Sequence, residues 1–195
     1  MIKRKIQRKD IVQAGYNLMY LKGFNAVSIK DITDTVEIPK GSFYNHFEGK
    51  ENFALEVLEF YTDHFERQLN NRLSDRVKSP IARLKEHFSD LIKNFEKKYK
   101  SSLGCLAGNL GQEMADSNPL FQEATNRSLE RFIRSLEDCI AEAQSANQVE
   151  NDIKAHDLAA YVLSSWEGAL LKMKTEKSIE PLKKFYKITF ERVLI

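Results

Sequence analysis

Cysteine is scarce in this chain, and the two present, Cys105 and Cys139, are too few and too far apart for a disulfide framework or a zinc site. A reducing compartment is therefore expected. No apolar run approaches the roughly 20 residues needed to cross a bilayer, and the longest, from Leu158 to Leu163, is far shorter. The basic stretch Lys3 to Lys9 is not followed by an apolar segment, so no secretory signal is legible and a cytoplasmic location is expected. The chain also lacks HExxH, GxSxG, CxxC and any glycine-rich phosphate loop. Its histidines, His46, His64, His87 and His156, are scattered, and each is expected at the surface or at a helix end. Neither catalysis nor a metal or cofactor is expected from such a set.

Glycine and proline are also few, 8 and 4 of 195 residues, and no segment alternates like a strand. Apolar residues instead recur at helical spacing almost throughout, so the expected fold is all-α. Ile11, Ala14, Leu18 and Leu21 mark a first helix closed by Gly23. Ser28 is placed to cap a second helix, with Asp31 in its first turn. Pro39 suits the first turn of a third helix, expected to end near Phe47. Ala54, Leu58, Tyr61, Phe65, Leu69 and Leu73 then form one long stripe. Further helices follow, broken at Ser101 to Gly104, at Asp116 to Pro119 and at Ser145 to Asp152. Charge is unevenly spread. Through residue 50 there are nine basic against five acidic side chains, whereas the rest carries 21 against 23. A basic head on a weakly acidic body suits a polyanionic partner.

Three short helices at the start, the last two joined by a tight turn at Val36-Glu37-Ile38, match the layout of a helix-turn-helix. Ile38, Phe43 and Phe47 can turn inward, leaving Lys40, Ser42, Tyr44, Asn45 and His46 as donors and flat rings able to reach DNA. Ser28 and Thr33 of the second helix are candidates for added contacts, and Arg4, with Lys5 and Arg8, for the backbone or minor groove. Lys50 lies near the start of the long helix, whose free N–H groups favour an anion. The stretch Gly23 to Phe53, above all Lys40-Gly41-Ser42-Phe43-Tyr44-Asn45-His46-Phe47 followed by Lys50, resembles the DNA-binding domain of the TetR family of repressors. That resemblance implies a helix-turn-helix domain over residues 1–50 and a helical effector-binding and dimerisation domain over 51–195. It also implies that Tyr44 and Lys50 hold phosphates while Lys40, Ser42 and Asn45 meet base edges or adjacent phosphates. Many members of the family have glycine where this chain has Glu37 and serine where it has Pro39.

The resemblance further implies a homodimer built through the last two helices, an operator that is a near-palindrome in double-stranded DNA, and an effector. The stripe Ala159, Val162, Trp166, Ala169 and Met173 suits the dimer interface or the chain's own core. Phe88, Leu91, Phe95, Met114, Phe121 and Trp166 are candidate walls of an effector pocket, or core. Cys105 follows Gly104 at an expected helix start, where the dipole favours a thiolate, and Lys172 or Lys174 is a candidate neighbour. Gly104 to Glu113 resembles a subset of the family in which a cysteine here is associated with sensing electrophiles or oxidants. The residues leave open whether Cys105 senses or only packs. Cys139, beside Ile140 on an apolar stripe, is expected to be structural. The competing class is a helical adaptor that binds only protein, from which a steep fall of DNA affinity with salt would distinguish this chain.

Overall fold

The computed structural model describes residues 6–98 and 104–195, and among these every regular element is helical. The order is α1 (Arg8–Lys22), α2 (Ile29–Thr35), α3 (Lys40–Tyr44), α4 (Lys50–Leu73), α5 (Pro80–Lys98), α6 (Leu106–Met114), α7 (Pro119–Ser145), α8 (Ala155–Glu176) and α9 (Glu180–Ile188), the last running into a π-helical turn over Thr189–Val193. No helix among the described residues is long and apolar enough to cross a membrane. Contacts group the chain into two compact units, Met1–Asp63 with Leu106–Ser128, and His64–Cys105 with Leu129–Ile195.

In the first unit the expected caps are made. Ser28 Oγ accepts the Asp31 amide while the Asp31 carboxylate accepts the Ser28 amide, fixing where α2 starts. Gly23 ends α1 with φ of 82°. The turn between α2 and α3 places Glu37 at φ of 54°, the left-handed region where a Cβ costs about 1 kcal/mol, so this chain takes the glycine-type turn without the glycine. Regular α3 stops at Tyr44, three residues sooner than the pattern suggests. The His46 and Phe47 amides both return to the Phe43 carbonyl, which tightens the last turn. The helix is held by an aromatic triad, with ring centroids 5.1 Å apart for Phe43 and Phe47, 5.2 Å for Phe43 and Phe53, and 4.8 Å for Phe47 and Phe53. On the other side of Phe53, α1 comes so near α4 that a Cβ at Gly15 would lie 2.2 Å from Phe53 Cζ. Glycine at this position is thus a packing requirement.

The second unit is centred on Phe88, Trp166 and Phe185, whose centroids are 5.1–5.3 Å apart, with Phe190 6.0 Å from Phe88. The buried Arg83 guanidinium donates to the Leu73 carbonyl and pairs with Glu142, which also takes Arg76. Cys139 is buried with its thiol on the Pro80 carbonyl, and burial pushes its pKa up to about 11, which suits a structural role. One histidine departs from expectation. His87 is buried between Leu84 and Phe88 on the apolar face of α5, its ring 5.1 Å from that of Phe88 and 6.5 Å from that of Phe65. Its Nδ1 has no hydrogen-bond partner among the described residues.

Burial pushes His87 down to about 4, so it is neutral in the fold at any pH where the unfolded chain's imidazole is still titrating. As pH falls from about 6.5 toward 4 the unfolded state gains a proton that the folded state refuses, and stability is lost over that window. The loss is on the order of 3 kcal/mol. Thermal unfolding followed between pH 7.5 and 4 should show the midpoint falling in the wild type and a flatter profile in His87→Leu. Equal slopes in the two proteins would show that His87 is not the group responsible.

Candidate nucleic-acid interface and thiol site

The outer face of the helix-turn-helix carries most of the residues singled out in the sequence. Lys40 is exposed at the first position of α3, Tyr44 is 49% exposed with its ring edge-on to Phe43 at 5.6 Å, and Asn45 is exposed beside it. Ser42 and His46 are half-buried on the flanks of this face. Gly41 has open space where a side chain would begin, so a polyanion can approach the backbone there. Phe43 is the inward anchor. It fixes Tyr44 and Asn45 on the opposite side of a helix too short to be stable alone. A lysine, a phenol and an amide held on one exposed face are the groups that make phosphate contacts and read base edges.

Other expected contacts fall elsewhere. Thr33 is 3% exposed and its hydroxyl donates to the Lys30 carbonyl, so the expectation that it contributes to the DNA-facing surface is corrected. It lies on the face of α2 that packs inward beside Ile32. The Ser28 hydroxyl is occupied as the α2 cap. Arg8 is paired with Glu56 and its guanidinium lies 4.8 Å from the Phe47 ring centroid. Arg4 and Lys5 lie outside the described residues. Lys50, half-buried at the start of α4, holds its Nζ 4.2 Å from the Phe24 ring centroid. Burial lowers its pKa, opposed by the nearby carboxylates of Glu113 and Asp31.

Two comparisons decide the family. Residues 11–57 match the model of the bacterial regulatory proteins of the tetR family, and residues 80–189 match that of the tetracyclin repressor-like C-terminal domain. The chain belongs to the TetR family. Along its length it is 33% identical to the HTH-type transcriptional repressor DhaR of Mycobacterium sp. (strain GP1), over 96% of this chain and 92% of that one. The crystal structure of a TetR regulatory protein from Rhodobacter sphaeroides superposes with a TM-score of 0.88 at 31% identity, covering 98% of this chain and all of that one. The reduced form of E. coli NemR shares the fold, with a TM-score of 0.87 at 22% identity over 96% of each chain. TetR-family proteins are DNA-binding transcription regulators, not enzymes, and that is the class of this chain. Acting as dimers and responding to ligands are typical of the family.

In the C-terminal part of this TetR-family chain, Phe88 and Trp166 are buried against each other and against Phe185, and Phe95 is half-buried 6.0 Å from Trp166. Phe121, expected among the same pocket walls, belongs to the other compact unit, where its ring stands edge-on to Phe24 at 5.5 Å. The stripe Ala159, Val162, Trp166, Ala169 and Met173 faces the chain's own core, with every member buried. The apolar residues left outside on the last two helices are Tyr161, Leu171 and Ile188, 53%, 46% and 55% exposed. Cys105 immediately precedes α6 and is 7% exposed. Its thiol donates to the carboxylate of Glu167, a residue not singled out in the sequence because the two are paired only by the fold. Burial raises the Glu167 pKa, partly offset by the thiol and by Lys174. The Lys174 side chain passes Gly104, where a Cβ would be 3.3 Å from Lys174 Cε.

Proposed function

We propose that this chain is a homodimeric repressor that binds a near-palindromic operator and leaves it when a small electrophile modifies Cys105. The observation that carries the reading is the Cys105–Glu167 hydrogen bond with Lys174 close by, because it gives the thiol proton a destination. A carboxylate with a raised pKa is a better base than an exposed one. With an α,β-unsaturated aldehyde the sulfur pair forms a bond to the β-carbon as the S–H proton passes to Glu167. The carbon–carbon π pair moves toward the carbonyl oxygen, and the resulting enolate takes the proton back. Lys174 stabilises the transient negative charge. The burial of Cys105 favours small reagents over bulky ones, and the bulk added there falls one residue before α6. The kinship with NemR, studied in a reduced form, supports a thiol-linked response.

The operator contacts are assigned to Lys40, Ser42, Tyr44 and Asn45 on α3, with Lys50 and His46 at the edges. The second subunit is assigned to the outer faces of α8 and α9, on Tyr161, Leu171 and Ile188. A duplex chosen from a random pool by the wild-type protein supplies the probe for the thiol test. Acrolein should weaken wild-type binding at least about tenfold, a modest coupling free energy, and leave an adduct on Cys105 detectable by mass. Cys105→Ser should bind equally well and ignore acrolein, Cys139→Ser should behave as wild type, and Glu167→Gln should slow adduct formation near neutral pH. Release of Cys105→Ser by acrolein would discard the thiol reading in favour of a reversibly bound effector.

A further inference from the structure

The turn between α1 and α2 is gripped by a carboxylate that lies far away in the sequence. Glu113, in the last turn of α6, accepts the Phe24 amide at 3.2 Å through one oxygen and the Asn25 amide at 2.9 Å through the other. Both acceptor oxygens of one ionised group are therefore spent on two consecutive backbone N–H groups, a charge-assisted arrangement stronger than neutral bonds. The absence of a side chain at residue 23 leaves room for this approach. A Cβ on Gly23 would sit 2.7 Å from Glu113 Oε1, and its φ of 82° is one that other residues rarely adopt. The Phe24 ring that follows is held by the Lys50 ammonium 4.2 Å from its centroid and by the edge of Phe121 from α7. Lys50 also feels the Glu113 charge.

All of these groups belong to one compact unit, so α6 and the start of α7 are built into the same body as the helix-turn-helix. The turn leads directly into the Ser28 cap of α2, and α2 packs on α3. We propose that Glu113 is a positioning residue for DNA binding, a latch that sets the angle at which the α1–α2–α3 head, and with it α3, is held against α6. It touches no DNA itself. Its removal leaves the amides of Phe24 and Asn25 without their acceptor, so the α1–α2 turn loses its hydrogen-bonded tie to α6 while α1 and α3 stay packed on α4 through Phe53. The proposal rests on DNA binding as such and is independent of any role for Cys105.

A head without that tie should cost affinity mainly where geometry matters. The test uses the full chain, the duplex selected by the wild type, and two versions of it lengthened or shortened by one base pair between half-sites. Glu113→Ala is expected to bind the selected duplex about tenfold or more weaker, the loss appropriate to charge-assisted bonds, while its preference over the altered spacings shrinks toward none. Amide exchange at Phe24 and Asn25 should quicken at least about tenfold, with the remaining helices still protected. Glu113→Gln, which keeps one acceptor oxygen and loses the charge, should fall between, and it takes the place of the alanine variant if that protein does not fold. Unchanged spacing preference overturns the proposal, whether affinity is unchanged or falls equally on all duplexes together with the melting temperature; the latter marks Glu113 as merely structural. Failure of the wild type to select any inverted-repeat duplex would instead count against the operator reading.

Discussion

Phe43→Ala is expected to abolish operator binding while most of the helical content survives. Phe43 is fully buried and is the member of the aromatic triad that belongs to α3 itself, within 5.2 Å of both Phe47 and Phe53. Truncating such a ring removes its burial and leaves a cavity, together about 3–5 kcal/mol. That is enough to release a helix of five residues, which has little propensity to persist unsupported. Tyr44 and Asn45 then lose the scaffold that aligns them, and operator affinity should fall at least about a hundredfold, since each 1.4 kcal/mol is tenfold. Fluorescence anisotropy with the selected duplex measures the loss, and far-ultraviolet circular dichroism should stay within a tenth or so of wild type. Tyr44→Phe, which spares the core, should cost far less. A Phe43→Ala protein that binds normally would mean that α3 is not the reading element.

Leu171→Asp is expected to yield a monomer that still folds. The residue is exposed on α8, and Gly168, one turn before it, has open space where a Cβ would be, so neither Leu171→Asp nor Gly168→Arg disturbs the core of the single chain. In the proposed dimer the same positions lie in the contact, where a buried, unpaired charge costs several kcal/mol on each side of the symmetry axis. Losing the partner turns a two-headed binder into a one-headed one. The second contact no longer benefits from high effective concentration, and operator affinity should fall about 10²–10⁴-fold. Sedimentation velocity would show the halved mass, and affinity for an isolated half-site should be unchanged. A variant that remains dimeric would move the interface to another face.

Local patterns made much of the fold legible. The Ser28 cap, the Gly23 stop and the apolar stripes each depend on residues within a turn or two, and each was placed where the sequence indicates. At Glu37, where many members of the family have glycine, the residue type alone did not decide the turn, and the positive φ shows that the left-handed conformation is kept. The candidate site was read less completely. Spacing reveals which face of a helix is apolar but not what covers it, and so the Ala159 to Met173 stripe suited either a partner or the core until the packing of Trp166 on Phe88 and Phe185 became visible. Thr33 looks like a surface residue by type, yet its hydroxyl can satisfy itself on Lys30, which removes the cost of burying it. Glu113 and Glu167 gave no local signal at all. Their partners lie elsewhere in the chain, and a lone glutamate on a helix is ordinarily solvated.

The grip of Glu113 on Phe24 and Asn25 also bears on how such regulators can be recombined. Cutting the chain after residue 50 and grafting the amino-terminal portion onto a foreign body would carry Gly23 along but leave its carboxylate behind. A working chimaera must inherit the two as a matched set, so the natural seam for shuffling specificity is discontinuous in the gene. It takes in the end of α6 as well as the first three helices.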